Sequence, residues 1–416
     1  MITTTNRAGL ARTVLVALTA LAGTISAVRA LKPSWEAPLP TEANLPEERM
    51  QDFRDALYFP IREFLNGGNP YDPAVMFAHW PVRQNFNLYQ PYHLVLHLPF
   101  ALPDYRVGAV AFALACLMLL ITLAVMASGR ARLPMIAGTV VISTLLVTSQ
   151  VGKAQMYVGQ VNPLIAVGAA GTLLLRTKNP GWASAALALA WLKPQFGLPL
   201  ALLMFIRGDR KVALMGTGIA AAASLPVAVT LILRGGGVSQ FLDVISRNLQ
   251  WASHTGYGAV DSMTAQRVDL PAVFFRTTGW LPPAAEPLAL CGVLTATALL
   301  ARKLDRHEQG SAAADVLTCL GVVVALVHQP GDVLIAVPAL TALAVTAYRR
   351  REEKHWWWAG AATLLLLVPF AHLYFVDTAV KTLLGARAAV TLDGVAVVAA
   401  WLVLAVFAAK LTRRAA

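Results

Sequence analysis

Hydrophobic residues in this chain form long continuous runs, which short polar and basic segments separate. A helical run of about 20 apolar residues is long enough to cross the hydrocarbon core of a bilayer. We therefore predict about ten full membrane spans, at residues 13–31, 107–128, 133–150, 160–175, 212–233, 284–301, 313–328, 332–347, 356–375 and 391–411. Basic residues before the first run could also indicate a signal peptide, but no clear A-x-A site follows. We interpret that run as an uncleaved span.

One segment does not fit a simple alternation of spans. Residues 179–206 lie between two basic segments that both favour the cytoplasm, and their 28 residues are too few to cross twice. Pro194 follows Lys193 at the midpoint, where a proline interrupts a helix. We predict a hairpin of two short helices with Lys193 near its tip, which raises the total to 12 membrane helices. The alternative is one continuous tilted span with a changed topology downstream.

The short basic loops predict the orientation of the chain. One alternation places all of them on the cytoplasmic side with both termini, namely 130–132, 176–178, 207–211, 302–303, 349–351 and the Lys410/Arg413/Arg414 tail. Residues 1–416 then form a single integral domain of the plasma membrane. Two longer loops, 32–106 and 234–283, are predicted to be extracytoplasmic.

Residues 49–65, in the first outer loop, have the spacing of an amphipathic helix. Their apolar positions recur every three or four residues and are Phe53, Leu57, Ile61, Phe64 and Leu65. Asp52, Asp55 and Arg62 lie away from that stripe. We expect this helix to lie on the membrane surface.

Composition supports an all-α polytopic membrane protein, since 57% of residues are hydrophobic and only 13% are charged. The net charge of +12 raises the question of nucleic-acid binding. The basic residues occur in clusters between apolar runs and form no stripe, which argues against a nucleic-acid partner. The three cysteines lie inside apolar runs without a C-x-x-C motif, so neither a disulfide framework nor a zinc site is predicted.

Uncommon polar residues concentrate in the outer half of this topology. Polar groups at membrane depth are costly and by default suggest function. Six separate parts of the chain contribute them: Asp52; Tyr89, Gln90 and His93; Gln160 and Asn162; Lys193 and Gln195; His254; and His328 and Asp332. Their predicted location on one side suggests a single site.

Each of these residues also has a structural interpretation. Asp52 could be a solvated helix residue, and Asp55, one turn away, competes with it for a role in catalysis. Lys193 could extend to a membrane interface, while Gln160 and Asn162 could bond helix ends. His328 could be a structural interfacial group. We assign no function to the tryptophans at 356–358, which are typical of an interfacial aromatic belt.

The order of several motifs resembles glycosyltransferase family 87, whose members are actinobacterial membrane enzymes of the GT-C architecture. The resemblance runs from about residue 50 to 210 and rests on Asp52-Phe53, Gly68-Asn69-Pro70-Tyr71, Tyr89-Gln90-Pro91, Gly159-Gln160-Val161-Asn162-Pro163 and Lys193-Pro194. Beyond that, similar hydropathy and the turn from His328 to Asp332 support it. The family includes α-1,2-mannosyltransferases that use polyprenyl-phosphate mannose, and related arabinofuranosyltransferases. The chain departs from it at Gln90, where members often have proline, and at 328–331, where several have a turn with serine and tryptophan.

The resemblance implies that Asp52 is the general base of a sugar transfer on the extracytoplasmic face. The expected donor is mannose on a polyprenyl phosphate, with decaprenyl-phosphate arabinose as the alternative, and the expected acceptor is a glycolipid or lipoglycan of the cell envelope. For the donor phosphate we nominate Lys193 first, then His328 and Arg54. A single carboxylate without a second, nucleophilic one predicts inversion. The outer loops contain no DxD-like pair and the chain no His/Cys cluster, so we expect no metal or other cofactor.

Two other classes of protein have similar sequence features. A transporter or flippase for a lipid-linked sugar would also combine many spans with polar groups at depth. We see no inverted repeat, and transporters seldom need an outer segment as long as 32–106. A purely structural scaffold would not explain the polar residues on one side.

Overall fold

A computed structural model describes residues 4–84, 86–263, 266–307 and 310–413, and Arg414 of the basic tail lies outside these ranges. The described chain folds into helices and contains no strand. The helices are α1 (Thr4–Glu36), α2 (Phe59–Leu65), α3 (Pro73–His79), α4 (His93–Leu96), α5 (Leu98–Ala101), α6 (Tyr105–Arg130), α7 (Met135–Thr148), α8 (Gln150–Val158), α9 (Asn162–Leu175), α10 (Pro180–Ala190), α11 (Pro194–Arg207), α12 (Arg210–Arg234), α13 (Val238–His254), α14 (Leu270–Thr278), α15 (Ala285–Asp305), α16 (Ser311–Ala325), α17 (Val337–Arg349), α18 (Trp357–Leu366), α19 (Val368–Ala371), α20 (Tyr374–Leu384) and α21 (Ala386–Arg413). Shorter turns occupy Glu42–Asn44, Pro330–Ala336 and Lys354–Trp356, and Phe53–Tyr58 is a π-helical segment.

Six stretches of helix are long and apolar enough to cross a membrane: Gly9–Glu36, Tyr105–Arg130, Arg210–Arg234, Ala285–Asp305, Pro330–Arg349 and Ala386–Leu411. Two further pairs of helices qualify only as bent units. The helices α7 and α8 meet at 64°, and the segment Lys354–Ala371 meets α20 at 100°. The described residues therefore contain six to eight candidate spans, and the predicted count of about ten full spans is not confirmed.

Several predicted spans are helical but short. The helices α9 and α16 have 14 and 15 residues, so each is roughly 21–23 Å long, against about 30 Å of hydrocarbon. Hydropathy identified both as apolar. However, α9 begins only at Asn162, next to Pro163, and α16 ends at Ala325, so both helices are shorter than a full span. The predicted hairpin is two helices, α10 and α11, with Lys193 between them. This confirms its helix–turn–helix form.

The segment around Asp52 is helical but differs from the predicted surface helix. Every residue from Met50 to Ile61 is buried except Asp52, which is partly exposed. Asp55, which was expected to lie away from the apolar stripe, is 1% exposed, and its neighbour Arg54 is 3% exposed. Their burial follows from mutual pairing, which removes the cost of leaving either charge alone. The prediction of an amphipathic helix on the membrane surface is thus not confirmed.

Six charged residues form an ion cluster at one end of the helix bundle. The Arg207 side chain, fully buried at the end of α11, lies 2.8 Å from an Asp305 oxygen and 2.9 Å from an Asp315 oxygen. Around it the remaining pairs are formed by Arg130 with Asp315 and by Arg176 with Asp209 and Asp305. These contacts bring together three of the predicted cytoplasmic loops, 130–132, 176–178 and 207–211, and the helices that carry Asp305 and Asp315. Their side of the membrane stays a prediction.

The ion cluster generates a stability prediction. We expect Arg207→Ala to lower the free energy of unfolding by about 3–5 kcal/mol, because it leaves buried carboxylate oxygens without their partner. The measurement is thermal unfolding of the purified protein in detergent micelles. Arg302→Ala, which removes an exposed arginine at the same end, is the control and should leave the melting temperature unchanged. Equal melting temperatures for the two variants would contradict this prediction.

Candidate active site

The loop between α8 and α9 is fixed by its own sequence. Ser149 caps the start of α8 by accepting a hydrogen bond from the Gly152 N–H, at 3.1 Å. Gly159 ends α8 with a φ of +73°, and a Cβ there would lie 2.7 Å from the Cβ of Phe53. Glycine is thus required both by the left-handed backbone and by close packing on the Asp52 helix. Gln160 and Asn162 are placed beside that helix as a result.

The loop between α10 and α11 positions Lys193. Its backbone is extended, and Pro194 begins α11 at the position where a missing N–H costs nothing. The Leu192 carbonyl accepts a 3.0 Å hydrogen bond from the Gln90 N–H, which attaches this loop to the segment 89–93. The Lys193 side chain is 9% exposed and its Nζ lies 5.4 Å from the centre of the Tyr89 ring.

Five of the predicted site residues are joined in one hydrogen-bonded series, which we call the polar chain. Gln160 donates through Nε2 to Oδ2 of Asp52, and its Oε1 accepts from Lys193 Nζ at 2.8 Å. Lys193 also donates to Asn162 Oδ1 at 2.9 Å, and Asn162 donates to Asp332 Oδ1 at 2.7 Å. The order is Asp52, Gln160, Lys193, Asn162, Asp332. Two carboxylates thus flank one ammonium group, each separated from it by an amide.

The polar chain lies at the opposite end of the bundle from the ion cluster. Asn162 begins α9 and Arg176 directly follows its last residue, so about 21 Å of helix separates them. In the same way, Lys193 directly precedes α11 and Arg207 ends it. The structure therefore brings these members together at one end of the bundle, and their side of the membrane stays a prediction.

Asp52 is suited to exchange a proton. Burial, the largest effect, raises its pKa to about 6, while nearby Lys193 acts to lower it. Its Oδ2 holds Gln160, and its Oδ1 makes no hydrogen bond within the described part of the chain. A carboxylate with one unengaged oxygen and a pKa near neutrality has the properties of a general base.

Asp55 and Arg54 are engaged elsewhere. Asp55 is paired with Arg54 at 2.6 Å and accepts hydrogen bonds from the N–H groups of Arg83 and Gln84. The Arg54 guanidinium also points toward the carbonyls of Asn44, Leu45 and Glu47. The structure does not bring either residue into the polar chain, and their contacts tie the loop 44–47 and the segment 83–84 to the helix.

His328 lies beside the polar chain. Asp332 and Lys193 are among its electrostatic neighbours, and its ring packs edge-on against Phe196 at 4.6 Å. Its Nδ1 is 3.1 Å from the Leu326 carbonyl, whereas its Nε2 is buried and has no hydrogen-bond partner among the residues that the structure describes. Gln195 donates to the Val327 carbonyl at 3.3 Å and so links this segment to the Lys193 loop. An unpartnered buried nitrogen beside charged groups is a candidate for contact with a ligand.

The remaining predicted residues have mixed positions. Tyr89 adjoins Lys193, and the Gln90 backbone bonds to the Lys193 loop. His93 is buried and bonds to the Gln90 carbonyl and to Asn87, which makes it part of the support for Tyr89. His254 ends α13, where it bonds to the Gln250 carbonyl in an exposed position outside the polar chain.

Sequence reasoning missed a buried amide pair. The Asn87 N–H donates to Asn248 Oδ1 at 2.8 Å, and Asn248 Nδ2 donates back to the Asn87 carbonyl at 2.7 Å. This pair fastens α13 to the loop that carries Tyr89. The sequence signals this pair only through Asn248, a polar residue that lies between Val244 and Ala252 on the buried face of α13.

Comparison with known proteins gives one match. A sequence model of glycosyltransferase family 87 matches residues 87–330, which is more than half of the chain. The chain belongs to glycosyltransferase family 87. No curated protein and no solved structure matches it. The matched region contains Gln160, Lys193 and His328 but begins after Asp52, so the role of Asp52 rests on its contacts.

The different surroundings of the two acids predict different effects on stability. We expect Asp55→Asn to lower the free energy of unfolding by about 3–5 kcal/mol, because it leaves Arg54 buried with a weaker partner. Asp52→Asn should leave stability unchanged or raised at pH 7, since the amide oxygen still accepts from Gln160 and a burial-disfavoured charge is removed. Because burial raises the pKa of Asp52, its ionised form destabilises the folded state. This cost is fully present only at pH values above that pKa, which include pH 7.

The measurement is heat-induced exposure of the buried thiols Cys116 and Cys319 to a fluorescent maleimide, in a Cys291→Ala background because Cys291 is already exposed. A melting temperature that falls more for Asp52→Asn than for Asp55→Asn would contradict the prediction.

Proposed function

We propose that this family 87 glycosyltransferase moves mannose from a polyprenyl-phosphate donor to a hydroxyl of a glycolipid or lipoglycan, on the extracytoplasmic face of the plasma membrane. Belonging to the family supports sugar transfer, and the apolar helices support a donor with a lipid tail in the bilayer. The observation that carries the proposal is the polar chain, which holds a partly exposed carboxylate two hydrogen bonds from an ammonium group. Membrane lipids are the other partners, and we assign no nucleic acid.

In this proposal Asp52 activates the acceptor. As the acceptor oxygen forms its bond to the anomeric carbon, its proton moves to Oδ1 of Asp52, the oxygen that Gln160 leaves unengaged. Such base catalysis contributes a factor of about 10²–10⁴. With one carboxylate acting directly on the acceptor, attack occurs opposite the leaving group and inverts the anomeric centre.

Lys193 stabilises the leaving group. The bond between the anomeric carbon and the phosphate oxygen breaks, and its electron pair leaves with the polyprenyl phosphate. An ammonium group has three donors, of which Gln160 and Asn162 take two. The third is available for a phosphate oxygen, where negative charge grows during the reaction. The ammonium supplies the positive charge at this position, so the proposed reaction uses no metal or other cofactor.

His328 contributes a second group through its unpartnered Nε2. When protonated, this nitrogen donates to the phosphate, and when neutral it accepts from a sugar hydroxyl. Tyr89 and Gln90 line the same region, where the contact of the Tyr89 ring with Lys193 limits the positions open to the ammonium.

The first test is transfer from radiolabelled polyprenyl-phosphate mannose, with polyprenyl-phosphate arabinofuranose as the second donor. We expect Asp52→Asn to lower kcat by about 10²–10⁴ while donor affinity is retained, because the lost group acts on the acceptor proton. Asp52→Glu, which keeps a carboxylate, is the control and should retain more turnover than Asp52→Asn. If Asp52→Asn turned over at the wild-type rate while Asp55→Asn or His328→Asn lost activity, the base would be Asp55 or His328, whichever variant is inactive. Donor translocation without product would support a flippase.

The pH dependence provides an independent test of the base. Only ionised Asp52 accepts a proton, and its pKa is about 6. We expect kcat/KM for the acceptor to be constant above this value and to fall about tenfold per pH unit below it. A profile that stays flat from pH 5 to pH 8, with the protein still folded, would contradict the assignment.

Lys193→Ala tests the phosphate site. We expect weaker donor binding and a kcat lowered by about 10²–10³, since a preorganised charge opposite the leaving group is lost. Lys153→Ala, which removes an exposed lysine of α8, is the matched control and should keep wild-type values. Unchanged donor affinity and rate in Lys193→Ala would exclude Lys193 from the phosphate site.

A further inference from the structure

A second polar recess lies apart from the polar chain, on the outer loop that carries Asp52. Its volume is about 540 Å³, and its lining residues are Glu63, Asn66, Gly68, His79 and Trp80. It is formed where the end of α2 and the following turn face the end of α3. None of these residues takes part in the transfer chemistry proposed above.

Glu63 is the unusual member of this recess. It is 2% exposed, and its carboxylate accepts a 2.7 Å hydrogen bond from Trp80 Nε1 and lies 3.1 Å from His79 Nδ1. Within the described part of the chain, its ion-pair partner is His79 alone, a histidine whose side chain is 57% exposed. A buried carboxylate without a permanent cation is costly, which favours a role in binding over a role in stability.

Two arginines that lie next to Glu63 in sequence or bond to the adjacent Phe64 carbonyl have other partners. Arg62 donates to the carbonyls of Leu102 and Pro103, at 2.9 and 2.8 Å. Arg234 donates to the Phe64 carbonyl at 2.8 Å. A carboxylate has about four acceptor positions, so Glu63 retains some for a ligand in the recess.

The other groups of the recess match a sugar. Trp80 is half-buried and stacks on Phe59 at 4.9 Å, which fixes the indole as a rigid apolar wall. The side chains of Asn66 and His79 are exposed at the rim and add amide and imidazole groups. A carboxylate beside an aromatic wall suits a neutral polyhydroxylated ligand, whose hydroxyls donate to the acid while its C–H faces contact the ring.

The recess is physically connected to the candidate active site. A Cβ on Gly68 would lie 1.7 Å from Glu63 Oε1, so glycine at this position lets the turn after α2 contact the carboxylate without displacing it. That turn continues to Tyr71, whose hydroxyl donates to the Tyr89 carbonyl at 2.9 Å. Eleven helical residues from Asp52 to Glu63 correspond to a path of roughly 16 Å. A ligand extending between them would be longer than one sugar.

We propose that this recess binds a sugar of the acceptor glycan other than the one that carries the attacked hydroxyl. The proposal rests on the function proposed above, because it takes the acceptor to be a glycan. It accounts for the buried acid, and it makes Glu63 a determinant of acceptor length.

The experiment compares two acceptors, octyl α-mannoside and an octyl glycoside of linear mannotetraose. We expect Glu63→Gln to raise KM for the tetrasaccharide about 10–100-fold, because one charge-assisted hydrogen bond to the acceptor is lost. The kcat for the tetrasaccharide and the KM for the monosaccharide should be unchanged. Asn66→Ala, at an exposed position of the rim, should raise the same KM by a smaller factor. Glu48→Gln, an exposed acid outside the recess, is the matched control.

Calorimetric titration with the tetrasaccharide measures binding in the recess without sugar transfer. Failure of the proposed transfer reaction and failure of the proposed binding site can therefore be distinguished. Wild-type binding that Glu63→Gln weakens supports the recess even if no product forms. A folded Glu63→Gln with wild-type binding and wild-type KM for both acceptors overturns the proposal. Tetramethylammonium binding that depends on Glu63, without binding of the glycan, overturns it in favour of a cationic ligand.

Discussion

The ammonium group of Lys193, held by two side-chain amides, is the interaction on which the candidate site depends. A cation at this depth must be compensated, and the structure does so through Gln160 and Asn162 rather than by direct contact with a carboxylate. Both amides also bond an acid, so one lysine fixes the loop between α8 and α9, the turn at Asp332 and the helix of Asp52. Because the opposite charges are separated by amides, one donor of Lys193 and Oδ1 of Asp52 stay unengaged within the described part of the chain.

Charged side chains are compensated differently at the two ends of the bundle. In the ion cluster, Arg207 contacts Asp305 and Asp315 directly, so the charges neutralise each other and stabilise the packing of α11, α15 and α16. In the polar chain the charges are separated by amides, and burial raises the pKa of Asp52 while the Lys193 charge acts to lower it. The same helices, α9 and α11, connect both ends. Stability and chemistry are thus divided along the length of the bundle.

The segment between α1 and α6 contributes residues that the matched region lacks. The family match begins at residue 87, whereas Asp52 and Glu63 both precede it. Asp52 reaches the matched region through Gln160, and the turn after α2 reaches it through the hydrogen bond from Tyr71 to the Tyr89 carbonyl. The buried pair of Arg54 and Asp55 holds this loop in a fixed conformation. In this arrangement the loop would carry the parts that meet the acceptor, and the matched helices those that meet the donor phosphate.

Hydropathy alone determined that the chain is helical and apolar enough for a membrane, because long apolar runs favour helices in a bilayer, where backbone groups must pair within the chain. Pro194 and the length of residues 179–206 likewise determined the hairpin with Lys193 between its helices. Tertiary structure decided how many helices are long enough to span, since caps and breaks shorten α9 and α16. It also decided which acid is free: Asp52 and Asp55 are equivalent in sequence, and only packing pairs Asp55 with Arg54 and places Asp52 against Gln160. Contacts between residues 108 positions apart leave no local pattern from which they could be predicted.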